Sequence, residues 1–402
     1  MNVKTRADNL LKCIGGASFI IEYWDGERIA YGGANPSFTL RVKDSSVVRT
    51  VLANLLVELP NAYVAGRIDI DGDFQELIRL CYDLDAKHLR LSAAQRLALG
   101  LTAKWRRNSL SGSKRNVSHH YDLGNDFFRM WLDEFMVYSC AYFERAEDDL
   151  NTAQRQKLQY LCTKLQLEPG HQLLDIGCGW GALARHAASF HGAKVLGITL
   201  SKEQHSLCQT YLKESGLEGR VEIRLQDYRQ LGGKMFDRVV SVGMMEHVGK
   251  SYLASYMETV ARCLRPGGCG VFQWISKTKP GEVAPWIRKR IFPGMYLPTL
   301  AETASAMAAA GLHVSDVENL RAHYAMTLDA WSERFERVAD RVQCMYDESF
   351  VRMWRLYLNS SSVAFKVGEL NLWQVTFTNG LSDRTPLTRH YMYREACRRA
   401  AS

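Results

Sequence analysis

At 402 residues the chain exceeds one ordinary domain, so two or three are expected, and a hydrophobic share of 47% supplies a sizeable core. Its ten cysteines are scattered, with no CxxC pair and no zinc-type spacing to histidine, which argues for a reducing cytoplasm and against a disulfide scaffold or zinc site. A formal charge of +8 suits an anionic partner, either nucleic acid or the face of a phospholipid bilayer.

Asp8 and Lys12 interrupt any apolar run behind Lys4 and Arg6, so neither a signal peptide nor a membrane span is expected. Residues 1–103 read as a small α+β module, with strand-like pieces at 17–24, 28–31 and 38–42, a helical stretch at 47–59 and helical spacing at 74–82. Packing or dimerisation is one reading of this module, and docking of a large substrate is the other. Residues 104–116 form a basic linker in which Lys104, Arg106, Arg107, Lys114 and Arg115 surround a Ser/Gly-rich centre. The neighbouring Trp105 also offers that linker an interfacial ring for anionic lipid.

Residues 117–390 form the remaining domain. The aromatic and polar stretch 117–142, with His119, His120, Phe127, Phe128, Trp131, Tyr138, Ser139 and Cys140, suits a lid over a ligand. Adjacent histidines on a helix point about 100° apart and no third ligand is suitably spaced, so no metal is expected. At 172–190 an apolar strand runs through Asp175 into Gly177-Cys178-Gly179-Trp180-Gly181 and a helix. Such a turn brings main chain close to a ligand, and Asp175 can receive its cationic or hydrogen-bond-donating part. Alone, the pattern also satisfies a dinucleotide fingerprint.

The next strand, 194–200, ends in Thr199-Leu200-Ser201 where a dinucleotide fold places an acidic residue for ribose; Gln204 nearby can bind ribose in another style. Strands at 220–225, 236–242 and 270–275, with a helix at 251–264, complete a parallel pattern that puts ligand loops at the C-terminal strand ends. Glu246 and His247 follow the fourth of these strands, and Gln273 is a polar amide on a buried one. Residues 285–298 interleave bulky apolar groups with Arg288, Lys289 and Arg290. Residues 327–358 and 360–378 read as helix then strand closing the sheet, and the last twenty are expected to fray.

With these elements in order, the chain resembles the cyclopropane fatty acid synthase family of S-adenosylmethionine-dependent methyltransferases acting on lipid acyl chains. The likeness rests on His120-Tyr121-Asp122-Leu123-Gly124-Asn125-Asp126, Tyr138-Ser139-Cys140-Ala141-Tyr142 and Glu246-His247-Val248-Gly249. It implies an α/β fold, a Rossmann-like class I methyltransferase sheet with helices on both faces. The small N-terminal α+β domain is similar to the lipid-docking domain of the bacterial phospholipid-acting members.

Residue by residue, the resemblance implies cofactor contacts at Tyr138, Ser139, Asp175, Gly177, Gly179, Gly181, Thr199, Leu200, Gln204, Asp227 and Tyr228. It also implies a bicarbonate ion as base, held by Cys140, Glu246 and Tyr324, with Gln273 where the family has a histidine. Ser361 stands where some members carry a cysteine once proposed as catalytic.

The expected reaction is methyl transfer from S-adenosylmethionine to the double bond of an unsaturated phospholipid acyl chain. Proton loss from the new methyl closes a cyclopropane, and loss from a neighbouring carbon leaves a methyl-branched alkene. Three matching base residues favour the ring. Methylation of a small molecule at nitrogen or oxygen is a more distant alternative; RNA binding through the linker is of another class. A homodimer, cytoplasmic and peripherally attached to the inner face of the membrane, without nucleic acid, completes the expectation.

Overall fold

The computed structural model describes residues 3–12, 17–88, 123–382 and 385–393. The linker at 104–116, with Trp105, Lys114 and Arg115, and the His119–Asp122 part of the aromatic stretch lie outside the described residues. Contacts divide the chain into two units. One gathers 1–105, 284–291 and 328–367; the other gathers 106–283, 292–327 and 368–402. Two segments from within 117–390 therefore cluster with the N-terminal residues.

The first unit holds a four-stranded sheet of order β2-β1-β3-β4, from β1 (Phe19–Glu22), β2 (Arg28–Tyr31), β3 (Phe38–Val42) and β4 (Ile68–Gly72). The helix expected at 47–59 is two helices, Ser45–Ala53 and Leu55–Val64, because Asn54 leaves helical geometry at φ −157°. Helix Glu348–Lys366 continues through 360–366, where strand was expected. Val351, Trp354, Leu358, Ser362 and Phe365 recur at helical spacing and are buried, and that periodicity outweighs local strand preference. On this helix Arg352 donates from Nε to Tyr63 O at 2.6 Å and from Nη2 to Asp69 at 2.7 Å. Those bonds fix the helix to the end of Leu55–Val64 and to β4.

The second unit is built on a seven-stranded sheet of order β10-β11-β9-β8-β5-β6-β7. Its strands are β5 (Gln172–Ile176), β6 (Lys194–Thr199), β7 (Val221–Leu225), β8 (Phe236–Val242), β9 (Leu264–Lys277), β10 (Leu312–Asn319) and β11 (Leu370–Asn379). The first five pair in parallel, and β11 enters antiparallel between β9 and β10. Leu173 packs with the helices Leu150–Lys164 and Ala182–His191 on one face, while Leu174 packs with Leu253–Cys263 on the other. Burial on both faces explains why β5 and β6 read as near-continuous apolar runs. The fold is thus the Rossmann-like sheet with helices on both faces that the sequence led us to expect.

β9 is longer than the expected 270–275. Leu264 pairs with Phe236 and Cys269 with Arg238, so the turn Arg265–Gly268 bulges within one continuous strand. Gly270 lies opposite Phe377 on β11, and a Cβ there would penetrate the Phe377 ring, which packs on Phe272 at 4.3 Å. Gly270→Ala is expected to cost about 1–3 kcal/mol by overpacking. Gly219→Ala, at a position where a Cβ meets nothing within 4 Å, is expected to stay near neutral. Denaturant unfolding of the two variants checks the contrast.

Candidate active site

β5 ends in Asp175-Ile176 and turns through three glycines with φ of 84° at Gly177, 56° at Gly179 and 76° at Gly181, a region that favours glycine. The amides of Gly177 and Cys178 both donate to Ile198 O at 3.0 Å, which ties the turn to β6. A Cβ on Gly179 would meet nothing within 4 Å, so the main chain there borders open space. That leaves a cradle in which a ligand can approach the backbone.

A pocket opens at the C-terminal ends of β5, β6 and β8. Its walls include Tyr138 and Ser139, then Asp175, Gly177 and Gly179, then Thr199, Leu200 and Gln204, then Asp227 and Tyr228. Gly181 is not among the lining residues. It precedes helix Ala182–His191 in left-handed geometry, and a Cβ would stand 3.2 Å from Cys208 Sγ. Thr199 Oγ1 donates to Gln204 Oε1 at 2.8 Å, and Asp227 is gripped by Arg229 at 2.8 and 2.7 Å, so these walls are braced from within.

The stretch expected to act as a lid is a packed wall where it is described. Phe127, Phe128 and Trp131 are fully buried, with Phe128 5.1 Å from the Trp180 ring and 5.4 Å from that of Tyr138. Met136 takes a positive φ of 59°, and Asp133 accepts from the amides of Phe135 and Val137 at 2.8 Å. A strained residue held by a buried carboxylate delivers Tyr138 and Ser139 to the pocket.

Asp175 is buried, and its Oδ2 has no hydrogen-bond partner among the described residues. Burial pushes its carboxyl up to about 7, opposed by the charge of Lys157. Sequence reasoning missed Lys157. It is buried on helix Leu150–Lys164, lines the pocket and donates from Nζ to Ser139 Oγ at 3.1 Å. Burial pulls its ammonium down to about 8, with Asp133 and Asp175 acting the other way. The available signal was position: Lys157 falls in the stripe Leu150, Ala153, Gln154, Leu158, Leu161, all buried.

The base residues implied by the resemblance, Cys140, Glu246, Gln273 and Tyr324, stand outside the lining of this pocket, although His247, beside Glu246, belongs to it. Glu246 Oε1 accepts from the amide of Ile275 at 2.6 Å, while Oε2 is buried with no partner among the described residues. Burial pushes Glu246 up to about 7 and His247 down to about 4. Gln273, two residues before Ile275, accepts through Oε1 from Gln374 Nε2 at 2.9 Å.

Cys140 is buried with Sγ 4.0 Å from Leu320 O, and the same carbonyl accepts from the amide of Tyr324 at 3.1 Å. The Leu320 amide in turn donates to Leu372 O at 2.8 Å, and Leu372 is paired with Ile275. A chain of backbone contacts thus links Cys140 and Tyr324 to the Glu246–Gln273 end of β8 and β9.

A family model described as mycolic acid cyclopropane synthetase matches residues 108–375, and one described as a domain of unknown function matches 7–93. A probable fatty acid methyltransferase of Pseudomonas putida is 38% identical over 385 residues, 93% of this chain and 96% of that protein. The cyclopropane-fatty-acyl-phospholipid synthase of Escherichia coli K12 is 38% identical over 370 residues, 90% of this chain and 93% of that protein. The solved mycolic acid cyclopropane synthase CmaA1 complexed with SAH and CTAB aligns with a TM-score of 0.63 at 33% identity. That alignment covers 66% of this chain and 98% of CmaA1.

The pocket's chemistry fits a donor bearing an α-amino-acid end, since Asp175 Oδ2 has no hydrogen-bond donor among the described residues and Lys157 lies beside Ser139 on the same wall. Asp175 is ionised above about 7 and Lys157 charged below about 8, so both charges coexist between those values. Affinity for S-adenosylhomocysteine, followed by calorimetry across pH, is expected to peak there and to fall on either side. Lys157→Met is expected to remove the alkaline limb. It also shifts the acid limb to higher pH, because the charge that lowers the Asp175 pKa is gone.

Proposed function

The chain belongs to the mycolic acid cyclopropane synthetase family and is an S-adenosylmethionine-dependent methyltransferase of fatty acyl chains; we propose that its acceptor is the double bond of an unsaturated chain in membrane phospholipid and its product a cyclopropane. The observation that carries this reading is Glu246 Oε2, buried with no partner among the described residues, beside His247 of the donor pocket wall. Relatives of matching length, among them a phospholipid-acting synthase, support the acceptor.

S-Adenosylmethionine supplies an electrophilic methyl group when bound. Asp175, Lys157 and Ser139 would hold its amino-acid end, and the Gly177–Gly179 main chain would let it approach. An alkene attacks carbon with its π electrons, so no activated nucleophile is required, and the protein's task is alignment and exclusion of water from a developing carbocation. Ser361 is consistent with this: a serine lacking a matched base is a poor substitute for a catalytic cysteine.

The remaining step is removal of a proton. Cys140, Glu246, Gln273 and Tyr324 would hold bicarbonate, which supplies a base. Glu246 Oε2 fits such an ion because its own carboxyl, pushed up to about 7, can donate to an anion when protonated. Gln273 contributes an amide whose carbonyl is already occupied by Gln374, leaving its N–H groups for an anion. Unlike histidine, that amide cannot titrate.

The N-terminal residues are proposed as a docking module, with helix Pro285–Arg290 offering exposed Lys289 and Arg290 and half-buried Arg288 to anionic headgroups. No helix among the described residues is long and apolar enough to cross a membrane. Surface adsorption through these basic residues is the proposed route to an acyl chain. Replacing Arg288, Lys289 and Arg290 by Gln is expected to reduce sedimentation with anionic vesicles; undiminished sedimentation removes this helix from the docking surface.

Incubation with unsaturated phospholipid and S-adenosylmethionine, then mass spectrometry and proton NMR of the acyl chains, tests the reaction. High-field ring protons are expected; vinyl protons with a branch methyl would overturn ring closure. Glu246→Gln is expected to lower turnover on the order of 10²-fold or more. Gln273→His is expected to change the ratio of ring to branched product, and an unchanged ratio would separate Gln273 from proton removal.

A further inference from the structure

A cluster outside the reaction chemistry lies where helix Leu150–Lys164 packs on helix Ala182–His191. Ligand atoms from Cys162, His186 and His191 all lie within 4.8 Å of one another. Gln159, one turn before Cys162, places Oε1 3.1 Å from Nε2 of His186 and 3.1 Å from Nε2 of His191. One carbonyl oxygen therefore holds both imidazoles inward. Five positions along a helix differ by about 140° in direction, so this convergence is imposed by the packing of two helices.

From this geometry we propose that Cys162, His186 and His191, with Gln159 or water as fourth ligand, form a structural site for a zinc-class d¹⁰ cation. A thiol and two imidazoles with no carboxylate select a borderline or soft metal and reject calcium or magnesium. Tetrahedral zinc with Zn–S of about 2.3 Å and Zn–N of about 2.0–2.1 Å needs ligand separations below about 4 Å. Side-chain contraction of about 1 Å at the widest separation closes the site. The sulfur lies in the core and the imidazoles are half-buried, so the metal would be shielded on one side and reachable from the other.

Lys157 and Arg155 act on His186 and oppose a divalent cation. A Cys162 thiolate cancels one unit of the ion's charge, and the remaining repulsion favours moderate affinity. His186 and His191, with four residues between them, have the spacing of a zinc-type histidine pair, but the gap of 24 positions back to a single Cys162 matches no familiar zinc pattern, so the cluster emerges only from the packing of the two helices. Occupation would pin two helices that carry pocket walls, Lys157 and Leu158 on one and Ala182 and Leu183 on the other. The site thus serves to stiffen the donor half of the fold.

The test is titration of the chelator-treated full chain with Co²⁺. One equivalent is expected to produce a thiolate-to-cobalt charge-transfer band and the intense visible bands of tetrahedral cobalt, both displaced by Zn²⁺. Cys162→Ser is expected to abolish the charge-transfer band, and His186→Ala and His191→Ala to weaken the visible bands. Zn²⁺ is expected to raise the melting temperature of the parent and not of His191→Ala. Since His191 is half-buried at a helix end, that variant keeps the test open if Cys162→Ser misfolds. No tetrahedral spectrum, or one that survives the histidine substitutions unchanged, overturns the proposal.

Discussion

The donor site depends on a charge kept out of water. Asp175 lies near the C-terminal end of β5, an interior strand of the sheet, with Oδ2 buried and unmatched among the described residues. An unsatisfied buried polar group costs about 1–3 kcal/mol, and an ionised one more. Lys157 is the opposing charge, yet it spends its hydrogen bond on Ser139 Oγ rather than on Asp175. The protein therefore does not neutralise itself. The Lys157 charge offsets only part of the burial that pushes Asp175 up to about 7, and Oδ2 is left to a ligand, which explains how the glycine turn and the Tyr138–Ser139 segment become one site.

How this was legible follows from what each residue does locally. Glycines at a strand-to-helix turn announce themselves because few other residues accept φ near 84° or 76°. Thr199 and Gln204 were legible through an absence, since no acidic residue ended β6. Lys157 was overlooked although its place in the apolar stripe of helix Leu150–Lys164 was available, because a lysine in the polar run Gln154-Arg155-Gln156-Lys157 reads as solvated. Aromatic density at 125–142 was visible, but its mechanical role was not. A lid and a buried wall share a composition, and the hydrogen bonds of Asp133 that make it a wall depend on backbone geometry.

Helix Glu348–Lys366 shows the same division at the level of fold. Ser360-Ser361-Ser362-Val363 has no strong local preference, and tertiary burial of one face decides it. Its membership of the first unit was likewise invisible, because Arg352 reaches Tyr63 and Asp69 across 289 and 283 positions of the chain. Parallel strands with their crossovers are written in consecutive stretches; long-range ion pairs are not.

The base region argues differently from the donor site. There Glu246 has one oxygen bound to the Ile275 amide and the other unmatched among the described residues, and where Lys157 opposes burial at Asp175, only backbone amides oppose it at Glu246, with a net pKa of about 7. Such a group sits close to the balance between donor and acceptor at neutral pH. An anion nearby favours the protonated form, and loss of that anion lets the same carboxyl become the acceptor. Gln273 cannot follow that change, because Gln374 fixes its carbonyl and its amide does not titrate. In the proposed reaction, direction of proton loss would rest on a fixed dipole beside a switchable acid, so position rather than acidity at Gln273 is the property through which this chain would choose ring over branch.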